Sequence, residues 1–275
     1  MAQELAMRCD YEPLMDAGRM LAAFGVAPPT EGALTVPADG ASAVFIVPGQ
    51  APELGVLGEV RLGRFGLLPP AARDGGDALR VRECPVETMK SNPTCRESWW
   101  AGRRCVVPVA RLTTWCHDTG RPQPWGIQRA DGDALGLAGL WHEAEGPGGE
   151  RVAAFCVLTL SAAGHAVFGH LAPPMAQDPR MPAILGGAAQ RRWLQGTWAE
   201  AERLLICFPA EQLDAGPLAP ADPAAQRPAP GVGVADLFEG EAWLPMPASA
   251  RRPREAQRRA VRPVAVGPVT GDLFA

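Results

Sequence analysis

Apolar and polar positions along this chain switch between a helical period and a strand-like one. Leu14, Ala17, Leu21 and Phe24 stand at helical spacing and predict a short amphipathic helix over 13–24, ended by Pro28-Pro29. Val44–Pro48 and Glu59–Leu68 read as strands, the second built around R-L-G-R-F-G-L-L-P. Asn92-Pro93 predicts a helix through Trp100, with Asn as N-cap and Pro at the first helical position. Apolar segments at 104–109, 134–141 and 152–160, flanked by Gly-Asp and Gly-Gly turns, predict three further strands. Gln190–Leu194 and Trp198–Leu205 read as helices, while Leu204–Phe208 has a second reading as a strand closing the sheet. The expected fold is α+β: a mainly antiparallel sheet with a few covering helices, ending near residue 210.

The pattern then dissolves. Residues 211–275 carry ten prolines and bury too little apolar area to offset their ordering entropy, so a disordered tail is expected. Inside it lie an arginine run (Arg251, Arg252, Arg254, Arg258, Arg259, Arg262) and two Asp-Leu-Phe peptides. Leu237 and Phe238, and Leu273 and Phe274, are the candidate partner-binding residues. They resemble the apolar end of peptides that bind the bacterial sliding clamp, although Val234 and Thr270 stand where those peptides carry Gln.

Composition narrows the function classes. The formal net charge of −4 over 275 residues excludes a globally basic nucleic-acid coat, but not a local basic groove. Lys90 is the single lysine, which a coding bias toward arginine explains. The N-terminus lacks a signal pattern, and no window approaches the roughly 18 apolar residues of a membrane span, so a soluble, cytoplasmic protein with no membrane partner is expected. Seven cysteines, an odd number, point to reduced thiols. There is no C-x-x-C pair, and Cys105 with Cys116-His117 fits no standard zinc spacing, so neither metal nor cofactor is expected. Cys105, Cys156 and Cys207 sit in apolar runs and read as small core residues. Trp99, Trp100, Trp141 and Trp193 read as core or sheet cover.

Four blocks carry the most specific information: R-R-C-V-V-P-V-A-R-L-T-T-W (103–115), L-G-L-A-G-L-W (135–141), F-C-V-L-T-L (155–160) and R-M-P-A-I-L (180–185). With Cys9-Asp10-Tyr11-Glu12, Arg64-Phe65-Gly66-Leu67-Leu68-Pro69, Glu87-Thr88 and Ala162-Ala163-Gly164-His165, they resemble the SRAP family in order, from about Cys9 to Phe208. These are the SOS-response-associated peptidases, or abasic-site processing proteins. The resemblance implies an SRAP-like, barrel-like sheet over 9–210, preceded by a leader at 1–8 and followed by the tail at 211–275.

It also implies a specific chemistry. In active members Cys becomes the first residue, its α-amine attacks the ring-opened aldehyde of an abasic site, and its thiol closes a thiazolidine. Only an N-terminal cysteine offers a free amine, of pKa about 7.7–8.0, one carbon from a thiol. Glu and His move protons, Asn orients the sugar, and arginines bind phosphates.

Carried over residue by residue, the nucleophile falls on Cys9, but Met1–Arg8 precede it. The family's glutamate falls on Thr114, its asparagine on Glu83 and its arginine on Pro85. The histidine falls on Asp178, or near Ala172 in the longer family variant, with His170 the closest imidazole. Phe65, Gly66, Arg96, Trp115 and Arg180 match positions that line the DNA groove, where aromatic stacking suits single-stranded DNA. Three readings follow. The chain is a divergent SRAP protein of the DNA-damage response that crosslinks through Cys9 once the leader is removed. It is a catalytically inactive SRAP shell that binds DNA or a repair partner through groove and tail. Or it is a thiol hydrolase using Cys9 with His170.

Overall fold

The computed structural model describes residues 10–14, 16–28, 42–49, 56–67, 81–117, 122–145, 151–173 and 175–218. They form one eleven-stranded sheet with five α-helices. The strands are β1 (Asp10–Pro13), β2 (Ser42–Val47), β3 (Glu59–Phe65), β4 (Glu83–Pro85), β5 (Arg104–Cys116), β6 (Gln123–Arg129), β7 (Leu135–Glu145), β8 (Arg151–Ser161), β9 (Arg180–Pro182), β10 (Ile184–Leu185) and β11 (Leu213–Pro217). The helices are α1 (Ala17–Phe24), α2 (Arg96–Trp100), α3 (Phe168–Leu171), α4 (Gly187–Gln195) and α5 (Trp198–Arg203).

The sheet closes on itself. Strand β5 pairs with β7, β7 with β8, β8 with β3, β3 with β2, and β2 again with β5, a ring of five strands. Closure leaves these strands no free edge. Most pairings are antiparallel, as expected; β3 and β4 run parallel to β8. Burial along β5 shows how the layers sit. Residues 104–109 are buried on both faces, between the barrel interior and the covering helices, whereas 112, 114 and 116 alternate with more open neighbours.

Close packing explains the glycines of L-G-L-A-G-L-W. A Cβ at Gly139 would lie 2.6 Å from the Cys156 carbonyl oxygen and 2.8 Å from Cys105 Sγ, and one at Gly136 would lie 2.6 Å from Gln190 Nε2. The second R of R-R-C, Arg104, is buried and donates to the carbonyls of Gly196 and Thr197 while lying over the Trp193 ring. Trp193 in turn donates its indole N–H to the Cys105 carbonyl at 2.9 Å. These contacts pin α4 and α5 to the start of β5. A capping box between Thr197 and Glu200 opens α5.

Several expectations are corrected. The segment read as a helix over 13–24 begins as strand β1, and helix α1 starts only at Ala17, capped by Asp16. Its buried face is Met20 and Phe24, one turn apart, and Leu21 is exposed. Asn92 does cap a turn, accepting from the Thr94 amide, but regular helix begins at Arg96. Leu204–Phe208 forms no strand. The outer strand on β6 is β11, which carries the ordered sheet beyond residue 210, and Pro217 is tolerated there as the strand's last residue. Cys207 and Trp100 are exposed; Cys105, Cys156, Trp99 and Trp193 are core. The buried Cys84 thiol donates to the Pro85 carbonyl at 3.8 Å. No helix among the described residues is long and apolar enough to cross a membrane.

Candidate functional site

Strand β1 determines where the site lies. Asp10 pairs with Thr113 and Tyr11 with Leu112, so the chain immediately after Cys9 runs along the half of β5 that carries Thr114 and Trp115. Cys9 itself lies outside the described residues, as do Leu237, Phe238, Leu273 and Phe274.

Phe65 and Gly66 stand at the end of β3, where the Gly66 amide donates to the Phe155 carbonyl at 2.7 Å. Gly66 adopts φ 110°, a conformation that side-chain-bearing residues avoid. The Phe65 ring meets Tyr11 edge-on at 5.3 Å and Phe155 at 5.4 Å. The Arg82 guanidinium lies 6.0 Å from the centre of the same ring. Phe65, Gly66 and the strand leading from Cys9 are therefore brought together. Arg82 joins them unforeseen, because no motif marked it.

Strand β8 aligns the next set. Glu83 pairs with Val157, Pro85 with Thr159, and Arg180 with Ser161, so three of the expected ligand-facing positions follow one another along a single strand. Arg180 is nearly buried, and both of its terminal nitrogens are engaged, while its Nε finds no hydrogen-bond partner among the described residues. It donates to both oxygens of Glu87, to Asp178 and to the Thr159 carbonyl. The hydrogen bond from Arg180 holds the Glu87 carboxyl below its usual range. Asp178, at the histidine position, also accepts from the Ser161 hydroxyl at 3.0 Å. It acts as a second counter-ion to Arg180, and a carboxylate already ion-paired is a poor substitute for an imidazole.

Thr114 is buried, 1% exposed, and its hydroxyl has no hydrogen-bond partner among the described residues. The next residue, Trp115, faces outward and is 49% exposed, as a base-stacking residue requires. Arg96 is exposed on α2, which packs against β7. His170 is exposed on α3, which packs against β5 and β9. His165, part of the A-A-G-H block, is structural. Its Nδ1 accepts from the amides of Val167 and Phe168, and its Nε2 donates to the Phe208 carbonyl at 2.8 Å. Among the described residues, no group of three or more His, Cys, Asp or Glu is placed to hold a metal ion.

Burial pushes the Tyr11 hydroxyl well above its ordinary pKa, with the Cys105 thiol adding to the effect. This residue therefore stays protonated at neutral pH, available as a hydrogen-bond donor and not as a base.

Comparison with known proteins agrees with this architecture. A crystal structure of a protein from Bordetella bronchiseptica matches with TM-score 0.67 and 25% identity, over 77% of this chain and 100% of that one. A second, from Bacteroides thetaiotaomicron, shares the fold with TM-score 0.53 and 24% identity, over 64% of this chain and 72% of that one. Among curated proteins, the chain is similar to the abasic site processing protein YoqW of Bacillus subtilis, at 25% identity over 139 residues, 49% of this chain. That match spans only 57% of YoqW's length. It is likewise similar to the abasic site processing protein YobE of Bacillus subtilis, at 23% identity over 163 residues, covering 56% of this chain and 69% of YobE. The family model for SOS response associated peptidase (SRAP) matches residues 2–221. With the closed barrel and the ordered blocks that build it, this match establishes that the chain belongs to the SRAP family.

Proposed function

We propose that this protein binds single-stranded DNA at abasic sites, in the response to DNA damage, through the surface formed by β1, the end of β3 and the outer half of β5. The observation that carries this reading is the pairing of β1 with β5, which leads the chain from Cys9 along the strand of Thr114 and Trp115 while Tyr11 packs on Phe65. Phe65, Gly66 and Trp115 supply the shape and stacking surface. Arg96 supplies positive charge, whereas that of Arg180 is offset by Glu87 and Asp178. Covalent chemistry rests on Cys9 alone and requires removal of residues 1–8, because a thiazolidine needs the α-amine as well as the thiol.

A second reading is favoured by the residues at the proton-handling positions. Thr114 cannot act as a carboxylate, and Asp178 is committed to Arg180. On this reading the protein is a non-catalytic SRAP shell that holds DNA in its groove and recruits a partner, such as a sliding clamp or repair protein, through Leu237-Phe238 and Leu273-Phe274. His170 is the remaining candidate proton carrier.

One experiment separates the two. The purified protein, its N-terminal residue established by intact-mass measurement, is incubated with single-stranded DNA carrying one abasic site and run on a denaturing gel. A shifted band that disappears with Cys9→Ala supports crosslinking. Salt-sensitive binding without a band supports the shell, and absence of both refutes the DNA reading.

A further inference from the structure

Four tryptophans at the junction of α2, α4 and α5 divide into two pairs. Trp99 and Trp193 are fully buried with their rings 6.2 Å apart, and they hold α2 to α4 inside the core. Trp100 and Trp198 meet edge to face at 5.7 Å, with an interplanar angle of 82°, yet stay 50% and 49% exposed. The ion pair of Lys90 with Glu202, at 2.6 Å, already ties the segment before α2 to α5. The fold is thus fastened without the outer pair, which keeps a contiguous aromatic surface in water.

The charge around that surface is positive in an acidic protein. Residues 90–103 and 191–203 hold six Lys or Arg against three Glu, whereas the whole chain carries −4. Glu202 is taken up by Lys90, and Glu200 by the amide and hydroxyl of Thr197. Glu97, exposed on α2, is the remaining carboxylate. Arg96 stands one helical turn before Trp100 and so on its face of α2. Arg96 and Arg103 form no ion pair among the described residues. Arg192 and Arg203 act together on Glu200. The segment that carries Glu87, the partner of Arg180, runs directly into α2, and so leads from the row of positions along β8 to this patch. Trp100 precedes β5 and Trp115 lies near its end, so the 13 residues of that strand separate them by up to roughly 40 Å.

An aromatic face stacks on any base, and guanidinium groups beside it attract the phosphates of the same strand. An acidic peptide would use the charge and leave the ring faces idle. A second copy would bring the same positive charge to the contact. We infer that Trp100 and Trp198 form a second stacking platform for single-stranded nucleic acid, with Arg96 on its rim and remote from Phe65 and Trp115. This rests on the DNA-binding reading above and extends it. Stacking is indifferent to base identity, so the platform anchors intact strand flanking an abasic site and does not recognise the site itself.

The test uses the full chain, oligothymidylate of about 16 nucleotides and, as a polyanion without bases, heparin. Trp100→Ala and Trp198→Ala should each weaken oligothymidylate binding about ten-fold, the worth of one stacked base. The salt slope should not change, because no phosphate contact is lost, whereas Arg96→Gln should flatten it by about 0.7. Trp100→Phe, which keeps an aromatic face, should retain most of the affinity. Heparin should bind the tryptophan variants as it binds the wild type. Tryptophan variants that hold oligothymidylate as well as the wild type overturn the platform and leave the DNA-binding reading standing, even where they abolish self-association or peptide binding. A loss shared equally by heparin also overturns it, since the effect would then lie in the fold or the charge. A wild type that does not bind oligothymidylate overturns both readings.

Discussion

Arg180 and Glu87 meet in a two-pronged ion pair, Nη1 to Oε1 at 3.2 Å and Nη2 to Oε2 at 2.8 Å. Asp178 adds a second carboxylate at 3.1 Å. The guanidinium that would attract a phosphate is therefore already neutralised within the fold. Replacing Glu87 by Gln should release part of that charge, strengthening single-stranded DNA binding. The slope of log K against log salt should steepen by up to about 0.7, the value for one additional phosphate contact on a single strand. Fluorescence anisotropy at several salt concentrations measures this. Equal slopes for the two proteins would show that Arg180 does not face the DNA.

The same pair makes stability depend on pH. Its hydrogen bond from Arg180 holds the Glu87 carboxyl below its usual range. A depressed folded-state pKa contributes stability above the unfolded-state value, about 4.3 for Glu, and loses it as pH falls through the lower folded value. Glu87→Gln should thus cost about 1 kcal/mol at pH 7, at the modest end because Glu87 is half-exposed, and progressively less below pH about 4. Urea denaturation of both proteins at pH 7 and pH 3 checks it; an equal gap at the two values would refute the linkage.

Tyr11 is the only tyrosine in the chain, so tyrosinate absorbance near 295 nm reports this residue alone. Burial raises its folded-state pKa above the ordinary value of about 10. The raised value contributes stability that is complete below pH about 10 and is lost as pH climbs above it. Tyrosinate absorbance should therefore remain flat through pH 10 in the folded protein and rise together with unfolding. A separate titration near pH 10, with the fold intact, would show that the ring is solvated.

Gly139 tests the packing of the barrel wall. An added methyl would meet the Cys156 carbonyl oxygen, which is backbone and cannot swing aside. Gly139→Ala is expected to destabilise the protein by about 1–3 kcal/mol, as overpacking does. The drop in thermal midpoint measures it, and an unchanged midpoint would mean the strands separate freely there.

His165→Ala should destabilise the fold by about 1–2 kcal/mol, through loss of the cap on α3 and of the link to the Phe208 carbonyl. DNA binding at a temperature where the variant remains folded should not change. A selective loss of binding would assign His165 to the site instead.

The barrel was legible in the sequence because its strands are long and apolar. Segments 104–109, 134–141 and 152–160 became β5, β7 and β8, and the glycines between them record how closely the walls approach. Short elements were not legible. Strand β1 is four residues held by its pairing with β5, and β11 is a Pro-ended strand in a proline-rich stretch. Neither has a period that a linear reading detects. Motif order picked out Phe65, Gly66 and Arg180 as candidates, and the structure shows that the backbone and contacts at those positions build the fold. Motif order could not show that Glu87 and Asp178 neutralise Arg180, since those contacts join positions separated along the chain. Arg82 carried no motif and emerged only from its place beside the Phe65 ring.

The way β2 and β3 are attached has a consequence for how the molecule opens. Six residue pairs bind these strands to each other, whereas one pair links β2 to β5 and two link β3 to β8. The hairpin should therefore open as a panel of the barrel wall, held by the buried Phe45 and Ile46 and the half-buried Phe65 more than by backbone pairing. Its outer amides should exchange with solvent ahead of those between β7 and β8. Because Phe65 and Gly66 stand at the end of that panel, a nucleic acid strand held there, as proposed, would at the same time steady the barrel wall.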